Sequence, residues 1–115
     1  MHSPDQQPAS RVLPGTLYML ILQTLSRKGP LHGYGIAKAI QARSDDVLRV
    51  EEGSLYPALQ RMAVKGWLEG EWQTSDGGRR ARYYRLKPKG EEQLAREVAE
   101  FERVVRATRR VLQPA

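Results

Sequence analysis

Apolar residues recur along this chain with several different periods, and each period marks a different kind of element. Between Leu17 and Leu25 the side chains of Leu17, Tyr18, Met19, Leu20, Ile21, Leu22 and Leu25 cover nearly the whole circumference of a helix. The pattern predicts a helix from an N-cap at Thr16 through about Arg27, stopped by Gly29-Pro30. A second helix is predicted from Tyr34 to about Arg43, with Ile36, Ala37 and Ile40 on the core side and Lys38 and Gln41 outside. On a helical wheel centred on Leu55, the residues Ala58, Leu59, Met62 and Gly66 fall on one side, and Gly53, Pro57, Gln60, Arg61 and Val64 on the other. This third helix is expected to be capped by Ser54, which puts Pro57 in the first turn, where its missing N–H has no intrahelical partner.

The period then shortens. Trp67 to Thr74 read as a strand, Ser75-Asp76-Gly77-Gly78 as a turn and Ala81 to Leu86 as the returning strand, with Trp67, Trp72, Tyr83 and Tyr84 expected to pack this hairpin onto the helices. From Pro88 to Leu112 a helical period returns, and Leu94, Val98, Phe101, Val105, Thr108 and Leu112 form an a/d heptad seam. A seam of this kind requires a partner, and so does the all-round apolar first helix. Both demands are met if the first and last helices form a homodimer interface through Leu17, Tyr18, Ile21, Leu94, Val98, Phe101, Val105, Thr108 and Leu112. The expected fold is mainly α with a small β-hairpin (α+β).

Three segments follow: a flexible arm at residues 1–12, a helical and hairpin domain at 13–87, and a C-terminal dimerisation helix at 88–115. The arm is polar and broken by prolines, and Arg11 is its one arginine. A DNA-reaching role for the arm is the less favoured reading.

Charge adds a direction. Nineteen Lys and Arg against thirteen Asp and Glu leave a formal net charge of +6, which favours a polyanionic partner. Much of the basic charge gathers behind the turn, in Arg79, Arg80, Arg82 and Arg85. A helix followed directly by a basic hairpin can engage a DNA groove and its flanking phosphates together, so double-stranded DNA is the expected partner. The absence of Cys removes thiolate chemistry and cysteine metal sites. His32 stands without a paired ligand or base and reads as structural or phosphate-adjacent. No nucleophile motif, carboxylate pair or phosphate-cradling loop is present, so neither an enzyme nor a cofactor or metal site is expected. No apolar run is long enough to cross a membrane, and a cytoplasmic location is expected.

Five ordered signatures carry a family resemblance: Gly15-Thr16-Leu17; Leu31-His32-Gly33-Tyr34-Gly35-Ile36; Gly53-Ser54-Leu55-Tyr56-Pro57-Ala58-Leu59; Lys65-Gly66-Trp67-Leu68; and Gly78-Arg79-Arg80-Ala81-Arg82-Tyr83-Tyr84-Arg85-Leu86. Over about residues 12 to 94 the chain resembles PadR-type transcriptional regulators in a short form. The resemblance implies a winged helix-turn-helix domain plus a long C-terminal helix, a homodimeric repressor on a palindromic operator, and release by a small-molecule effector. It places the recognition helix at Ser54 to Lys65 and the wing at Thr74 to Arg82. The expected DNA-binding residues are Tyr34, Lys38, Ser54, Tyr56, Pro57, Gln60, Arg61, Lys65, Arg79, Arg80 and Arg82. The expected effector lining is Tyr18, Trp67 and Phe101, between the first and last helices. Lys87 departs from the Thr or Ser that usually precedes the last helix. The rival reading is a winged-helix module that binds protein instead of DNA.

Overall fold

The computed structural model describes residues 10–13, 15–74 and 76–115. In chain order the elements are β1 (Ser10–Arg11), α1 (Leu17–Lys28), β2 (Leu31–His32), α2 (Gly33–Arg43), β3 (Leu48–Arg49), α3 (Glu52–Val64), β4 (Leu68–Thr74), β5 (Arg80–Leu86) and α4 (Pro88–Leu112). Residues 1–9 of the expected arm, Pro14 and Ser75 of the expected turn lie outside the described residues.

The core forms where three helices meet a small antiparallel sheet ordered β2-β5-β4. Ile21, Leu22 and Leu25 of α1, Ile36 and Ile40 of α2, and Leu55, Ala58, Leu59 and Met62 of α3 pack with Leu68 and Tyr84 of the sheet. Each large aliphatic group withdrawn from water here contributes about 1.5–3 kcal/mol before entropy is counted. The wheel separated α3 correctly: its buried residues are Leu55, Ala58, Leu59 and Met62.

Four local expectations need correction. Ser54 does not cap α3; Glu51 does, with extended backbone, and the Ser54 N–H already donates to the Glu51 carbonyl at 3.0 Å. A helix N-terminus attracts carboxylates, and Glu52 in the first turn supplies one. Pro57 therefore lies inside the helix. The Gly53 carbonyl loses its usual N–H donor there, but Gly53 is exposed and water can replace it. Second, Ile21 is no interface residue, because it is completely buried in its own chain's core. Third, Ser10 and Arg11 do not belong to a free arm: β1 pairs in parallel with β3, and the Ser10 N–H donates to the Val47 carbonyl at 2.7 Å. Fourth, Trp72 does not pack the sheet onto the helices, and remains 54% exposed.

His32 has the structural role expected of it. It is the N-cap of α2, and its Nδ1 accepts the Gly35 N–H at 2.9 Å. α4 begins where Lys87, with no side-chain cap, offers its carbonyl to the N–H groups of Gly90 and Glu91. Gly90 is essential to that junction. A Cβ at this position would collide with the Trp67 carbonyl and lie 2.7 Å from Leu86 Cδ1, so α4 rests directly on the start of β4. Beyond this root the helix projects away, which explains a radius of gyration of 16.0 Å where a compact domain of this length has about 13 Å.

Candidate nucleic-acid interface

α2 and α3 meet at a very close approach. A Cβ on Gly33 would come within 2.7 Å of Tyr56 Cε1, so the first residue of α2 must be small for the Tyr56 ring to lie across it. The contact fixes the angle between the two helices and leaves Gly53, Ser54, Tyr56, Pro57, Gln60, Arg61 and Val64 of α3 exposed. Tyr34 and Lys38 lie on the exposed face of α2, with Lys38 Nζ 5.6 Å from the centre of the Tyr34 ring.

The hairpin stands beside this helix pair, and its register determines which arginines face α3. Gly70 pairs with Tyr84, Trp72 with Arg82 and Thr74 with Arg80, so these residues share one face. That face begins in the core at Tyr84 and continues outward into a cleft of about 670 Å³, lined by Tyr34, Tyr56, Gln60, Arg79, Arg80 and Arg82. Trp72 organises the basic groups: the Arg80 and Arg82 guanidinium carbons stand 5.3 and 5.9 Å from its ring centre. Arg82 also lies 5.8 Å from the Tyr84 ring, and its guanidinium crosses Gly70 so closely that a Cβ there would collide with it. The opposite face is paired internally, with Arg85 Nη2 donating to Glu69 Oε1 at 2.8 Å and Tyr83 edge-on to His32 at 5.1 Å. Arg85 thus stands apart from the cleft arginines, although the sequence gathers all of them together.

The other flank of α3 differs. Arg61 Nε donates to the Tyr18 hydroxyl of α1 at 2.7 Å, Lys65 Nζ lies 5.3 Å from the Trp67 ring centre, and Tyr18 meets Trp67 edge-on at 5.6 Å. Tyr18 and Trp67 are therefore parts of this aromatic cluster. Neither lines the groove between α1 and α4, where the expected effector lining placed them together with Phe101. That groove, about 680 Å³, is bounded by Leu13, Thr16, Met19, Glu97, Phe101 and Val105, among others. Desolvation raises the Glu97 carboxyl above the ordinary carboxylate range, partly offset by Gln93, and its Oε2 has no hydrogen-bond partner among the described residues. Along α4 the seam divides: Leu94 packs on the core and Val98 is half-buried, whereas Phe101, Thr108 and Leu112 are exposed, with Val104 and Val111 beside them.

Architecture and sequence converge on one assignment. The model of the transcriptional regulator PadR-like family matches residues 21–96, two thirds of the chain. The chain belongs to the PadR-like family. As a member of it, this protein is a DNA-binding transcriptional regulator and not an enzyme. Among solved structures, a transcriptional regulator from Clostridium thermocellum superposes with a TM-score of 0.78 at 25% identity, covering 86% of this chain and 95% of the other. A PadR family transcription regulator from Clostridium difficile gives 0.71 at 31% identity, covering 86% of this chain and all of its own. An uncharacterised protein of Lysinibacillus sphaericus is 32% identical over 96 residues, 83% of this chain and 86% of that relative. The winged-helix architecture is thus shared with these two solved regulators. No helix among the described residues is long and apolar enough to cross a membrane, and no group of His, Asp and Glu among them could hold a metal ion.

Trp72 was not singled out by sequence reasoning as part of this cleft's surface. For Trp72 a signal existed, because once the turn is set the register places it opposite Arg82.

Proposed function

We propose that this PadR-like chain is a homodimeric repressor that reads an inverted-repeat operator, with the exposed face of α3 in the major groove and the wing arginines on the flanking phosphates. The observation that carries the reading is the single cleft in which Gln60 and Tyr56 of α3, Tyr34 of α2 and Arg79, Arg80 and Arg82 of the hairpin converge. Gln60 and Tyr56, with Pro57 between them, face base edges; Ser54 stands at the entrance of the helix; Tyr34 and Lys38 approach the backbone from α2. Arg61 and Lys65 serve from the far flank, where Tyr18 and Trp67 hold them.

The dimer is supported by the exposed apolar groups on the outer half of α4, where Val111 is 82% and Leu112 78% exposed. Pairing these groups with a second copy removes them from water, and the α1–α4 groove then becomes an enclosed space at the interface, suited to a small apolar effector against Phe101. Two α3 helices related by a two-fold axis address major grooves about 34 Å apart.

Selection of bound sequences from random duplexes tests the proposal. An inverted repeat with half-sites about one helical turn apart is the expected result. Enrichment of a single asymmetric half-site would overturn the dimeric reading. Binding with no salt dependence would favour the protein-docking alternative.

A further inference from the structure

A helix in a major groove faces two walls of phosphate, and the wing reaches only one of them. On the other flank of α3, Arg61 is committed to Tyr18 and Lys65 rests over Trp67. The same flank holds a second cleft of about 310 Å³, lined by Arg11, Arg49, Glu51 and Ser54 among others. Ser54 belongs to α3, so this cleft adjoins the N-terminal end of that helix on the side away from Tyr56 and Gln60.

The two arginines in it are brought together by the backbone. β1 and β3 run parallel with Arg11 directly beside Arg49 and Ser10 beside Leu48. Leu48 packs against the core, so the alternate residues, Arg49 and its strand partner Arg11, turn outward on one face. Like charges in register on neighbouring strands oppose the pairing that holds them. Little among the described residues offsets that cost: Glu51 Oε1 is 4.0 Å from Arg11 Nε, and both side chains are half or more exposed. The strand pair is only two residues long, so it adds little stability of its own. What the pairing does achieve is to hold a doubly positive site at a fixed place beside α3.

We infer that Arg11 and Arg49 form a second phosphate-binding site that grips the DNA strand opposite the one held by the wing. The inference rests on the proposed reading of α3 as a groove-binding helix, and it deepens that reading: each half-site is clamped on both walls. Glu51 acts as the counter-charge that occupies Arg11 when DNA is absent. Ser54, at the same cleft, adds a hydroxyl donor to the backbone contact.

The test is binding of the full-length protein to a random 30-base-pair duplex across a series of KCl concentrations, with thermal unfolding followed alongside. R11A and R49A should each lower the slope of log affinity against log salt by about 0.9, the value for one lost phosphate contact. R49K should restore the slope. Neither alanine variant should lower the unfolding temperature, because each removes like-charge repulsion. E51Q should tighten binding by a few fold, since Arg11 is then free of its competitor. Unchanged slopes in both R11A and R49A, with R80A lowering the slope in the same assay, would overturn the inference and leave the DNA-binding reading standing. Wild-type binding without any salt dependence would instead remove the reading of α3, and the second clamp with it.

Discussion

The two flanks of α3 carry similar numbers of basic and aromatic groups but hold them in opposite ways. On the wing flank, Arg80 and Arg82 lie over Trp72 and remain open to the cleft. On the α1 flank, Arg61 is hydrogen-bonded to Tyr18 and the Tyr18–Trp67 pair continues to the root of α4. An arginine stacked on an aromatic ring keeps its in-plane donors for another partner, whereas one donating to a hydroxyl has already used part of its donor set. The first flank thus leaves its guanidinium groups open to the cleft, while the second ties its arginine to α1. Identical residue types lead to different roles because the register of the hairpin and the crossing of α1 decide what each guanidinium meets.

The comparison is broken most severely at Gly90. G90A forces a methyl group against the Trp67 carbonyl and Leu86, and should cost about 1–3 kcal/mol in denaturant unfolding, as overpacking of a tight contact does. The wing itself should keep its salt-sensitive contacts at temperatures where the variant is folded. W72A attacks the other flank: two exposed cation–π contacts of about 0.5–1 kcal/mol each are lost, so the folded chain should lose up to about 1–2 kcal/mol in denaturant unfolding. DNA binding should weaken in an anisotropy titration, because Arg80 and Arg82 are no longer held at the cleft. Y18F removes only the hydroxyl that accepts from Arg61 and should lower stability by about 0.5–1.5 kcal/mol. If Arg61 is held for cohesion, Y18F leaves the salt slope of DNA binding unaltered; a lower slope would show that the bond positions Arg61 for DNA.

The smallest effect is expected at Glu97. Its carboxyl is raised in the folded chain, so the native state binds the proton more tightly than the unfolded state does. The associated stabilisation is present below the ordinary carboxylate range and is lost as pH rises through the raised value. E97Q should therefore be slightly more stable than wild type at neutral pH, and the difference should disappear as the pH is lowered. Thermal unfolding across that interval measures it.

Local pattern revealed the elements; distant contacts decided their use. The buried face of α3 and the Pro88–Leu112 limits of α4 were legible, because each follows from a single period in adjacent residues. The α3 start was not: Pro57 suggested a helix beginning at Ser54, but a helix can tolerate an internal proline where the freed Gly53 carbonyl is exposed to water. The all-round apolar α1 suggested an external neighbour, yet Ile21, Leu22 and Leu25 are covered by α2, α3 and the sheet of the same chain. Among the described residues, the exposed apolar groups Phe101, Val104, Val111 and Leu112 of α4 have no counterpart on α1. Within the candidate site, Gln60 and the arginine wing were visible from sequence. The tie of Arg61 to Tyr18 spans 43 residues, and the pairing of Arg11 with Arg49 joins equally remote segments, so neither left a local trace.

The seat of Gly90 on Trp67 has a mechanical consequence. α4 contains 25 residues and so extends about 37 Å from a root that permits almost no slack. Tilting such a rod by about 10° at its root moves the far end by roughly 6 Å, nearly the spacing of two base pairs along a duplex. In the proposed dimer, where two copies meet through the far end of this rod, a fraction of an ångström at one glycine would become a change of stride along DNA. The absence of a single methyl group would thus set the gauge of that proposed assembly.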